Sequence, residues 1–217
     1  MQQDQNIKGF TILELLVVIT IVAIISAVAY PNFSNWQQDR ELRAAMEKAA
    51  TMLSSVNTLS QRGNYPFVQF RVTPNGTKST KFIAKGMDAT SLSIKLNNAQ
   101  TIECNTSSGS YWDNNQVDET TKKISTHISK DGAVCFSKDG SYFKAHGTLK
   151  NNLNVTVENR STNQYLILCT TSNASNGGKC PLDQGGGLEK PAYLVEWTRF
   201  GNISKFKWSG SDWTRQN

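Results

Sequence analysis

The sequence predicts an α+β protein: one long N-terminal helix, then antiparallel strands packed against it. Three observations carry this. Residues 10–30 form an almost unbroken apolar run. Apolar residues then recur at spacings of three and four as far as Leu59. From Pro66 onward the pattern changes to period two, interrupted by turns rich in Asn, Ser and Gly. A helical stripe followed by many short strands gives helix-on-sheet packing.

The apolar run is exceptional in this chain. Mean hydropathy is −0.44, and outside residues 10–30 the sequence is polar and rich in Asn, Ser, Thr and Lys. That split fits a membrane element joined to a soluble body better than a polytopic membrane protein. At ~1.5 Å rise per residue, a helix over residues 10–30 covers ~30 Å, the thickness of bilayer hydrocarbon. The run is too long for the core of a signal peptide and lacks a small-x-small cleavage site. One residue does not belong in it. Glu14 is a carboxylate near its start, and an ionised carboxylate in lipid costs several kcal/mol unless paired. Residues 10–30 contain no cation to pair with it.

The string Lys8-Gly9-Phe10-Thr11-Ile12-Leu13-Glu14-Leu15-Leu16 resembles the processing site of type IV prepilins and type II secretion pseudopilins. In that family a membrane peptidase cuts a short polar leader after its final Gly and methylates the new N-terminus. The resemblance implies a leader over residues 1–9, cleavage between Gly9 and Phe10, and N-methylated Phe10. Glu14 then becomes the fifth residue of the mature chain, and its cation is an N-terminal amine, its own or a neighbouring subunit's. Opposite charges in low dielectric relieve each other's desolvation. Pro31 falls where many pilins carry a helix-kinking proline. Residues 10–31 are thus expected to cross the bacterial inner membrane once and later to line a filament core. Lys8 favours a cytoplasmic N-terminus, which puts residues 32–217 in the periplasm or outside the cell.

Beyond Pro31, the residues Leu42, Ala45, Met46, Ala49, Met52, Leu53, Val56 and Leu59 make one stripe on an amphipathic helix. Gly63 is a C-terminal stop, so the helix runs to about residue 62 and is ~80 Å long. Strands are expected in "PFVQFRVT", "KFIA", "SLSIKL", "QTIEC", "KISTHI", "AVCFS", "SYFKA", "NVTV", "QYLILC", "AYLVEW" and "NISKFKW". The two "SKDG" strings read as turns bracketing the strand at Ala133. Cys104, Cys135, Cys169 and Cys180 lack the close spacing of a zinc site and read as two disulfides formed in an oxidising compartment. Three pairings are open. The short loop between Cys169 and Cys180 favours that pair, which leaves Cys104 with Cys135.

Nothing in the sequence suggests an enzyme. His127 and His146 are isolated, and no hydrolase, zincin or phosphate-loop string occurs. No metal and no cofactor are expected. The net charge of +6 suits anionic partners but is also ordinary for a soluble body. The C-terminal stretch interleaves Arg199, Lys205, Lys207 and Arg215 with aromatics that include Trp208. Cations and stacking faces together are compatible with DNA. On a strand, however, Lys205 and Lys207 share one face while Phe206 and Trp208 share the other. That places the aromatics in a core and the lysines in solvent.

Within the family, Arg43-Ala44-Ala45, Phe136 with Gly140, and Gly201 are similar to features of minor pilins and pseudopilins of the secretion-H and T-fimbrial group. Some T-fimbrial-like minor pilins bind DNA through closely spaced arginines after a Gly. Here Gly201-Asn202-Ile203-Ser204 stands in that place, with the charges displaced to Lys205 and Lys207. The resemblance implies a pilin-like fold and a low-abundance pilus subunit, with other pilins, prepilin peptidase and the inner membrane as partners. A type II secretion pseudopilin is the alternative within that architecture. A DNA-binding pilin for natural transformation is the alternative from another class.

Overall fold

The computed structural model describes residues 11–63, 65–75, 79–98, 104, 114–122, 124–128, 131–139, 144–147, 164–170, 180 and 188–216. It divides into two compact units, Met1–Asp39 and Arg40–Asn217. Helix α1, Ile12–Gln61, contributes to both.

In the first unit, α1 exposes apolar side chains around its whole circumference, among them Leu13, Leu16, Val17, Ile21 and Ile25. In the second, the expected stripe is buried: Leu42, Ala45, Met46, Ala49, Met52, Leu53 and Val56. The stop is where the sequence places it. Gly63 has φ +79°, and its N–H donates to the Ser60 carbonyl at 3.0 Å. A left-handed residue just past the last turn is the usual glycine cap.

Two five-stranded sheets, antiparallel throughout, complete the second unit. The first contains β1 (Phe67–Pro74), β2 (Ser79–Met87), β3 (Asn114–Lys122), β5 (Gly132–Ser137) and β6 (Lys144–Gly147) in the order β3-β2-β1-β5-β6. The second contains β4 (Ser125–Thr126), β7 (Tyr165–Cys169), β8 (Ala192–Trp197), β9 (Ile203–Trp208) and β10 (Trp213–Gln216) in the order β10-β9-β8-β7-β4.

Both sheets turn one face to the α1 stripe. Val68, Phe70, Phe82 and Val134 come from the first sheet, and Leu166, Leu168, Tyr193 and Trp197 from the second, all into one core with the helix. Each sheet's other face is also covered. On the first, Met87, Cys104, Ala133 and Cys135 cluster with Phe67 and Leu92. On the second, Ile167, Cys180, Leu188, Leu194, Phe206 and Trp208 form a separate cluster. Coverage on both sides is why β7 reads YLILC without a polar residue, all five positions being buried. The disulfides Cys104–Cys135 and Cys169–Cys180 sit in these two outer clusters.

Several elements depart from the expected pattern. "SLSIKL" is not a strand but part of helix α2, Ala89–Asn97. The Asp88 side chain caps it, accepting the Ser91 N–H at 2.6 Å, while Ile94 and Leu96 are exposed. Six residues of alternation with no strand alongside are outweighed by an aspartate N-cap. Strands β3 and β10 carry no apolar alternation, because each is a sheet edge among the described residues. "KISTHI" contributes only the two residues of β4. Residues 100–103 of "QTIEC", all of "NVTV" and residues 141–143 of "SYFKA" lie outside the described residues, as do Ser129, Lys130 and Gly140 of the "SKDG" strings.

Candidate functional site

At the N-terminus the sequence sets up a capped helix start. Thr11 immediately precedes α1. Its Oγ1 accepts the Glu14 N–H at 3.2 Å, and its carbonyl accepts the Leu15 N–H at 3.2 Å. Threonine three residues ahead of glutamate is the capping-box pattern, which satisfies amides that the first helical turn would leave open. Glu14 occupies that first turn, where the partial positive charge of the helix end favours a carboxylate. The carboxylate therefore sits in the most favourable place the segment offers, while the side chains around it are aliphatic and exposed. Thr11 is not among the expected site residues, yet its T-x-x-E string is the signal for the cap. Gly9 and Phe10 lie outside the described residues; Pro31 falls within α1.

The basic aromatic stretch at the other end builds the β8–β9–β10 meander. Registry fixes its faces. Lys205 is opposite Val195 and Lys207 opposite Tyr193, so both lysines lie on the sheet face that carries the helix. Lys205 Nζ contacts both carboxylate oxygens of Glu47 on α1 at 3.0 Å, and Lys207 Nζ stands 5.6 Å from the Tyr193 ring centroid. Phe206 and Trp208 lie on the other face. Trp208 is 9% exposed, donates its Nε1 hydrogen to the Leu188 carbonyl at 2.8 Å, and packs against Trp213 at 5.2 Å.

The alternation is as expected and the aromatics are in a core, but the lysines, only partly exposed, are not on a solvated face. The aromatics fill the outer cluster, and the lysines border the helix core. Arg199 is at the exposed β8–β9 turn, and Arg215 is exposed on the face of Trp208. The five candidate DNA contacts thus divide among the turn (Arg199), the helix-side face (Lys205 and Lys207) and the outer face (Trp208 and Arg215). The Trp208 indole, enclosed on its own sheet face, offers no surface for stacking on a base.

The β8–β9 turn is tied to the helix. Asn57 Nδ2 donates to the Phe200 carbonyl at 3.2 Å. Gly201 has φ +79°, and a Cβ there would lie 1.9 Å from Asn57 Nδ2. Backbone conformation and close approach both require glycine at this position. Below the turn is an open groove of about 380 Å³ bordered by Glu47, Thr51, Ser54, Asn202 and Lys205.

His127 is buried just past β4, against β7. Its backbone N–H donates to the Ile167 carbonyl at 3.1 Å, and its Nδ1 accepts the Ile167 N–H at 3.0 Å. The imidazole thereby stands in for a backbone carbonyl at the end of the β4–β7 ladder, stacked on Tyr165 at 5.4 Å. This is a packing role. The residue is visible in the sequence, but its partner is not.

Residues 4–30 match the family model of the prokaryotic N-terminal methylation motif. That motif is typical of type IV prepilin and pseudopilin proteins, and the match spans only the N-terminal part of the chain. No solved structure matches the chain. In a prepilin-type chain the motif implies processing by prepilin peptidase and assembly with other pilins. Among the described residues no helix is long and apolar enough to cross a membrane.

Proposed function

We propose that this chain is a minor type IV pilin, made with residues 1–9 as a leader, cut after Gly9, methylated at Phe10, and assembled into a filament through α1. The observation that carries the reading is the lone Glu14 in an apolar segment without a cation, inside the matched motif. Residues 10–31 hold the precursor in the inner membrane. They leave it when Glu14 meets the N-terminal amine of a neighbouring subunit and the aliphatic surface is buried among other pilin helices. The body, residues 32–217, carries the second unit, where the α1 stripe is enclosed by two sheets. Its role is structural, with no chemical turnover.

The test is Glu14→Ala in cells that make the filament. The N-terminal peptide mass should still report cleavage after Gly9, while the amount of the chain in sheared filaments falls at least ~10-fold, as expected for a lost buried charge pair. Normal incorporation would refute the charge-pair account. Mass spectrometry of wild-type filaments, finding trace rather than bulk amounts, separates a minor from a major subunit. A secretion assay in a deletion strain separates pilus from secretion filament.

A further inference from the structure

Among the described side chains of the first unit, Phe33 and Trp36 are the large exposed aromatics, 60% and 52% accessible, with ring centroids 5.6 Å apart and planes tilted by 38°. One helical turn separates them, so they share a side of α1. Their position along the sequence is ordered. Before them comes the aliphatic run; around them stand Asn32, Ser34, Asn35, Gln37 and Gln38, polar but uncharged; the first ions, Asp39, Arg40 and Glu41, follow. Hydrocarbon, then aromatic with uncharged polar, then charge is the order of layers met on leaving a bilayer, and Trp concentrates in the middle one because its ring is apolar and its N–H needs a partner. From Glu14 to Trp36 is roughly 33 Å along a helix, against about 30 Å of hydrocarbon. A carboxylate at one boundary therefore puts the aromatic pair at the other.

We propose that Phe33 and Trp36 form an interfacial clamp that seats in the phospholipid headgroup layer of the outer leaflet and fixes the insertion depth of α1. The proposal rests on the membrane-held precursor proposed above and adds its lipid contact. The clamp holds Glu14 at the inner boundary, within reach of amines rather than drawn into hydrocarbon. It also makes exit from the bilayer a concerted step, because the rings must leave the headgroups when the aliphatic run leaves the lipid.

The full chain is reconstituted into phosphatidylcholine–phosphatidylglycerol vesicles carrying bromine either just below the headgroups or near the bilayer centre. The emission of wild type minus that of Trp36→Phe isolates Trp36, since the remaining tryptophans belong to the second unit. Shallow bromines should quench that component several-fold more than deep ones, and Phe33→Ala should lessen the difference. If the chain floats with the vesicles but Trp36 is quenched by neither set, or most by the deep set, the clamp is refuted and the membrane reading stands. A chain that does not float refutes both. Unchanged quenching in Phe33→Ala refutes the paired arrangement.

Discussion

Two stretches of one helix make opposite use of the same side-chain types. In the first unit, Leu13 and Leu16 are 74% and 54% exposed; in the second, Leu42 and Leu53 are at 0% and 1%. Both the density of apolar residues and their arrangement separate them. Apolar residues on every side of a helix have no single core to enter, whereas a stripe repeating at three and four residues can be enclosed by two sheets. The first stretch is therefore complete only in surroundings supplied from outside, lipid or other helices. The second is complete by itself. The filament role proposed above would use both: a part that exchanges partners and a part that does not change while this happens.

Substitutions can break or sharpen that contrast. The largest effect is expected at the enclosed stripe. Leu53→Ala should cost about 2–5 kcal/mol in urea unfolding of the full chain in detergent micelles, followed by tryptophan fluorescence. Leu16→Ala should leave the same transition in place. Equal effects would mean that the two stretches are one cooperative unit.

Next comes Gly201→Ala. Left-handed backbone alone costs about 1–3 kcal/mol for a residue with a side chain, and the added methyl also collides with Asn57. Combining it with Asn57→Ala should recover the collision but not the backbone part, a difference read from the same unfolding midpoints.

His127→Leu leaves the buried Ile167 N–H without an acceptor, for a loss of about 1–3 kcal/mol. His127→Asn, which keeps an acceptor near the Nδ1 position, should regain part of it. If leucine is tolerated as well as asparagine, the ladder does not depend on the imidazole. The smallest effect belongs to Lys205→Ala. Its Glu47 partner is 41% exposed, and pairs of that kind are worth about 0–1 kcal/mol.

The parts legible in the sequence share a physical basis. The α1 stripe, its stop at Gly63, and strands β1, β5, β7, β8 and β9 are each written in burial, and burial leaves periodicity. The outlying elements are not. β3 and β10 are held by backbone pairing at sheet edges, which asks little of side chains beyond compatibility with a strand. In α2 the decisive residue is the cap, Asp88, rather than the alternating Leu92, Ile94 and Leu96.

The site divides in the same way. Glu14 stands out because a charge among aliphatics is an energetic anomaly in any fold. That Lys205 meets Glu47, 158 positions away in the sequence, follows only from placing β9 beside the helix. Reading Lys205 and Lys207 as facing solvent put them on the correct opposite side from the aromatics. It could not show that the sheet has two buried faces.

Those two buried faces bear on how the body responds to force. In the filament role proposed above, tension reaching Arg40 would be met by the stripe from Leu42 to Val56 lying between two sheets. Extracting the helix means sliding all of these contacts together, in shear, rather than peeling them off one by one. On the outer faces, Cys104 and Cys180 are tied covalently to β5 and β7. Under such tension the second unit would act as a bolted laminate, its helix stripe enclosed and its outer faces cross-linked.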